Sequence, residues 1–330
     1  MKKILLAVTA ALAITSCSQN EEFENSNQQA EINIGTIVKA TSRAAVTDNS
    51  NFESFKVSSF IVANDFDITT MPLGIPYMDG VKYTGTQGNW KATGSDKFYW
   101  PVGKSVQFFG YPSTLVLLNP TGDAKGYPTL AFTIGATSET QTDLVVSSVK
   151  TAKPSDSGTV TLDFKHILAK INFSYKPEDT NYTYTISEIK ITGVKGGNVV
   201  YTFAADVADG EWSGGEAVAD GYLYPIATAA TADGDYYALD SENGSLMLLP
   251  QDVAGAQINI AYKTTKTING VEETFFDGTK TVILPAGSKW GIGNSIRYKL
   301  TLPVGAEQIG IATDVTNWAD ETPETPAVSE

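Results

Sequence analysis

Cysteine and histidine are nearly missing from this chain of 330 residues, with Cys17 and His166 the sole members of either type. A lone cysteine excludes an internal disulfide framework and any metal site built on clustered cysteines. A lone histidine excludes zinc sites with several imidazole ligands and leaves a Ser-His-Asp triad one ring to use. No candidate nucleophile stands near His166 in the sequence, and its apolar flanks mark it as a hydrogen-bonded structural side chain. We therefore expect no enzyme, no cofactor and no metal, the acidic residues being too dispersed to suggest a calcium loop. Positive charge is also short: 23 Lys and Arg against 37 Asp and Glu give a formal charge of -14. That balance argues against a nucleic-acid binder and for an acidic, soluble surface. Arginine is rarer still, with only Arg43 and Arg297 present. Beyond the N-terminus, no long stretch sustains apolar spacing at the 3.6-residue period of a helix.

The N-terminus itself has a clear pattern. Lys2 and Lys3 precede an apolar run over residues 4–14, too short for a permanent membrane helix and typical of a secretory signal peptide. The run ends in small residues ahead of Cys17, as at a bacterial lipoprotein cleavage site, so residues 1–16 are expected to be removed and Cys17 lipidated. Residues 17–31 are polar and acidic and read as a flexible tether. An acidic stretch so near a lipidated cysteine resembles a surface-export signal of Bacteroidetes-type lipoproteins.

Residues 32–38 then alternate at the period of a half-buried strand, placing Ile32, Ile34, Thr36 and Val38 on one face. The segment leads to Arg43, and residues 44–51 are small and polar, fit for an exposed loop. From residue 52 onward, short stretches rich in Val, Ile, Thr, Tyr and Phe are separated by Gly, Asp and Asn turns. That rhythm predicts an all-β protein of sandwich or barrel type. Length favours two domains. Residues 150–158 lack large apolar side chains and contain Pro and Gly, which places the boundary between 32–157 and 158–318. Residues 319–330 are acidic with two prolines and are expected to be disordered. The aromatics around residues 98–111 suit core packing better than an exposed sugar-stacking platform, because buried rings contribute large areas to a sandwich core.

A second segment repeats the pattern of the first. Residues 32–38 and 309–315 both read Ile-x-Ile-x-Thr-x-Val, so Ile309, Ile311, Thr313 and Val315 offer the same four side chains at the same period. If the first strand were removed, three aliphatic sites and a row of unpaired backbone groups would open. Another subunit's C-terminal strand would be a suitable substitute.

Taken together, these motifs resemble the Bacteroidales fimbrillins, the type V pilins. The likeness is carried by the leader ending at Cys17, by the alternating strand ahead of Thr41-Ser42-Arg43-Ala44, and by Phe164-Lys165-His166. It continues through Leu248-Leu249-Pro250-Gln251, Trp290-Gly291-Ile292-Gly293-Asn294 and the closing Val315-Thr316-Asn317-Trp318. The resemblance implies two transthyretin-like β-sandwich domains in tandem, the first of which opens with a removable strand and cleavage loop over residues 32–43. It implies delivery to the outer membrane as a lipoprotein and cutting by an arginine-specific protease between Arg43 and Ala44. Polymerisation with other pilin subunits by donor-strand exchange would follow, with residues 309–315 in or near the donor strand. The expected function is thus a structural subunit, shaft or tip, of a cell-surface pilus that supports adhesion, with a host or bacterial surface ligand as a further partner. The alternative reading is a monomeric surface lipoprotein that binds glycans or host protein through its aromatics.

Overall fold

The computed structural model describes residues 30–38, 51–86, 88–153, 159–233, 235–240 and 244–318. These residues fold almost entirely as β-strands, joined by loops and two short 3-10 turns, Ser138–Thr140 and Val207–Asp209. None of the described helices is long and apolar enough to cross a membrane. The expected sandwich architecture is what is found.

Five sheets are formed. A five-stranded antiparallel sheet runs in the order Asn89–Ala92, Met78–Thr86, Ser54–Val62, Ser105–Pro112, Lys150–Ala152. Facing it is a three-stranded sheet of Asn33–Val38, Thr159–His166 and Val145–Ser147. Alternation explains why they face each other: Phe55 and Val57, Val106 and Phe108 from the first sheet meet Val160, Leu162 and Phe164 from the second in one core. Phe164 lies 5.2 Å from Phe55 and 4.9 Å from Phe52, centroid to centroid, in the tilted and edge geometries that aromatic pairs prefer. Gly110 sets the closeness of approach. A Cβ there would sit 2.7 Å from the Phe164 ring, whereas the bare backbone N–H instead donates to Ser147 Oγ at 2.8 Å.

A second core lies under the remaining sheets. One carries Ala169–Pro177 beside and parallel to Asn294–Leu302, with Gly310–Asn317 added antiparallel at the edge. Another is built from Thr183–Thr192 and the long hairpin Gln257–Ile268 and Val271–Ile283. Asn269 and Gly270 make that hairpin's turn, both at positive φ (52° and 82°), the backbone a two-residue turn of this hand demands. The fifth sheet joins Thr129–Ile134 to Lys195–Thr202, so strands from the two halves of the sequence pair directly. Phe109, on the far side of the five-stranded sheet, packs edge-on against Phe203 at 5.4 Å and ties that sheet to the second core.

The strand after the expected boundary at 157/158, Thr159–His166, lies in the first core, and Ala169–Pro177 follows it into the second. Lys150–Ala152 is an edge strand on Ser105–Pro112, and residues 154–158 lie outside the described residues. The expected tether and tail, 17–31 and 319–330, are outside them too, apart from Ala30 and Glu31.

Candidate functional site

Among the described residues, the first strand, Asn33–Val38, occupies the edge of its sheet and makes one ladder, running parallel to Thr159–His166 from Asn33 opposite Thr159 to Val38 opposite Phe164. Parallel ladders are slightly weaker per residue than antiparallel ones. The alternation seen in the sequence gives the burial directly. Ile32, Ile34 and Thr36 are each 6% exposed and Val38 1%, whereas Ile37 on the other face is 40% exposed. Four side chains thus seat the strand in the first core, as the period-two spacing predicts.

At its entry the segment is held from one side. Ile32 N donates to Phe98 O at 2.8 Å, Trp100 N donates to Ala30 O at 3.0 Å, and Glu31 meets Lys97 at 2.9 Å in a solvent-exposed ion pair. Such a pair contributes little to stability. A cavity of about 680 Å³ opens alongside, lined by Glu31, Ile34, Tyr83, Trp90 and Lys97 among others, between the first strand and the short edge strand Asn89–Ala92. Burial, with a smaller push from Glu31, raises the Tyr83 hydroxyl to about 12. The Glu31 carboxylate raises the Lys97 ammonium by hydrogen bonding and charge.

Thr36 is the one poor fit. Its Oγ1 is buried and has no hydrogen-bond partner, a cost of about 1–3 kcal/mol for a hydroxyl taken from water. Thr36→Val keeps the shape and removes the polar atom. We expect it to stabilise the uncut protein by about 1 kcal/mol, seen as a higher urea midpoint with an unchanged slope. An equal or lower midpoint would show that the hydroxyl is satisfied in solution.

The segment with the matching template sits elsewhere. Gly310–Asn317 is the edge strand of the sheet containing Ala169–Pro177, paired to Asn294–Leu302. Ile309 and Ile311 pack partly buried on the second core, but Thr313 is exposed and Val315 is 54% exposed. Identical spacing therefore meets different cover: four seated side chains in the first strand, two half-seated ones in the last. Cys17, Arg43 and Ala44 lie outside the described residues.

Other candidates resolve into structure. His166 Nδ1 lies 3.0–3.1 Å from both Asp143 carboxylate oxygens, with both side chains buried, and the ring stacks on Trp318 at 4.1 Å. Arg297 makes a two-point contact with Asp240, at 3.0 and 2.6 Å, within the strand Asn294–Leu302. A protease has no access to an extended loop there. Trp100, Phe108, Phe109 and Tyr111 are buried in the cores, so the aromatics around 98–111 form no stacking platform apart from the half-exposed Tyr99. Among the described residues no three His, Cys, Asp or Glu side chains gather as a metal site. Sequence reasoning missed two things: the strand that holds the first strand in place, and the anchoring role of Trp318. The alternation of Val160, Leu162, Phe164 and His166 was the available signal for the former.

The fold and the site define a class: an all-β sandwich protein whose first strand is seated in the core and, among the described residues, paired on one side. The sequence profile of the Fimbrillin-like family matches residues 39–318, and the chain belongs to that family. Fimbrium subunit Fim1C of Phocaeicola vulgatus is 26% identical over 377 aligned positions, spanning 97% of each chain. A fimbrial protein from Bacteroides vulgatus of known crystal structure shares the fold with a TM-score of 0.63 at 19% identity, covering 88% of this chain and all of that one.

Proposed function

We propose that this protein is a structural subunit, shaft or tip, of an adhesive cell-surface pilus. It is exported as a lipoprotein on Cys17 and cut by an arginine-specific protease between Arg43 and Ala44. Cutting frees residues 32–43, and a strand from another subunit takes the vacated place beside Thr159–His166. The observation that carries this reading is the first strand itself. Its four core-facing side chains fill a groove, yet among the described residues its backbone is held by one parallel ladder and two hydrogen bonds at its entry, and it precedes one of only two arginines in the chain. A strand held in this way can be exchanged without dismantling the sheets behind it. Family membership and the likeness to a fimbrium subunit support the pilus assignment.

Mass spectrometry of the subunit recovered from surface pili tests the proposal. The expected first residue is Ala44. A lipidated Cys17 at the start of pilus-borne protein would contradict it.

A further inference from the structure

The last strand is fastened at both ends. On its N-terminal side, the connection from Asn294–Leu302 is strapped to the facing hairpin by three side chains. Tyr262 donates its hydroxyl to Pro303 O at 3.0 Å, Thr264 donates to Val304 O at 2.7 Å, and Lys280 donates to the carbonyls of Gly305 and Glu307. Along its length it pairs antiparallel with Asn294–Leu302 from Gly310 to Asn317, and Asp314 meets Lys299 at 2.5 Å. At its C-terminal end Trp318 is fully buried. Its ring stacks on His166, Lys170 Nζ lies 5.6 Å over it, and its backbone N–H donates to Gly293 O at 2.8 Å.

Donating this strand would therefore break an antiparallel ladder, pull three straps and expose a whole indole. It would also uncover the edge of Asn294–Leu302, a central strand of its sheet. The first strand has its one described parallel ladder, two backbone hydrogen bonds and an exposed ion pair at its entry, and a buried Thr36 hydroxyl with no partner among the described residues. Residues 319–330 offer no substitute donor, since they hold four acids, two prolines and no alternating aliphatics.

Resting on the strand-exchange reading above, we propose that this subunit only accepts a strand: its groove takes one from the next subunit, while Gly310–Asn317 stays in its own sheet. A subunit that accepts and does not donate has nothing assembled beyond it. It belongs at the distal tip.

A lock on the last strand tests this. A Cβ on Gly310 would lie 3.3 Å from the Cβ of Thr301, close to the roughly 3.5–4.5 Å of a disulfide, so Thr301→Cys with Gly310→Cys can tie the strand to its neighbour. The locked subunit is expected in surface pili at the wild-type level, with or without reductant. Exclusion of the oxidised form, reversed by reductant, would overturn the proposal. Immunogold labelling of the wild-type subunit gives an independent reading that needs no variant: one site at a pilus end is expected, and labels along the shaft would overturn it. Arg43→Ala in the same strain separates the two levels of argument. If that variant enters pili normally, the exchange reading fails; if it is excluded while wild-type label runs along the shaft, only the acceptor-only inference fails.

Discussion

Arg43→Ala is expected to keep the subunit out of pili almost completely, leaving a full-length, lipidated, folded monomer at the cell surface. The reason is occupancy. With the first strand attached, Ile32, Ile34, Thr36 and Val38 fill the sites that an incoming strand needs, and Asn33–Val38 holds the ladder positions of Thr159–His166. Burial of the three aliphatic side chains contributes roughly 1.5–3 kcal/mol each, a sum comparable to the whole stability of a typical domain. A tethered strand also acts at a high effective concentration that a free competitor does not match. Cutting removes that advantage, because once the tie is broken the parallel strand with its unpaired hydroxyl competes as a separate molecule. Fractionation of surface pili from a strain carrying Arg43→Ala, with immunoblotting for the subunit, measures the effect. Wild-type incorporation would mean that the strand need not be released by a cut at this position.

Trp318→Ala is expected to cost about 3–5 kcal/mol, the range for deleting a large buried aromatic. Trp318 is fully buried, and its indole N–H finds no partner among the described residues, so what is lost is burial and stacking rather than a hydrogen bond. The loss falls at the end of a strand whose own side chains bury little, so that its ladder is left without an apolar anchor there. From Ala312 to Asn317 the last strand is exposed, and only Ile309 and Ile311 ahead of these residues pack on the core. The truncated side chain also leaves the buried His166–Asp143 pair without its cover. Denaturant unfolding with intrinsic fluorescence reads the stability change. Amide hydrogen exchange should show residues 310–317 losing protection first. A shift below about 1 kcal/mol would mean that the indole is not the anchor described above.

These two residues bracket what was legible in the chain. The period-two alternation of residues 32–38 predicts both a strand and the face it buries, and each of the four named side chains is on that face. The all-β class follows from the same rhythm, because alternation with Gly, Asp and Asn punctuation is local information. Pairing is not local. Nothing in residues 32–38 says that their partner is Thr159–His166, more than a hundred positions away and beyond the expected boundary. Residues 309–315 separate period from cover. Their spacing equals that of the first strand, but period gives the face and not what covers it, and here solvent covers Thr313 and Val315. The long hairpin is a third case. Only residues 257–262 and 279–284 read as strand in the sequence, yet Gln257–Ile268 and Val271–Ile283 run on to a turn at Asn269-Gly270 through Thr, Lys and Glu residues. These pair across an exposed ladder and so carry no apolar alternation. Trp318 and His166 were visible as residues, but their stacking depends on a chain crossing that no pattern records.

Strand exchange requires the groove beside Thr159–His166 to change its occupant when the subunit joins a pilus. Electron cryo-microscopy of the assembled fibre tests it most directly. A strand from a neighbouring chain is expected along Thr159–His166, with no density for residues 32–43 of the same chain. The subunit's own Asn33–Val38 still lying parallel to Thr159–His166 in the fibre would contradict it.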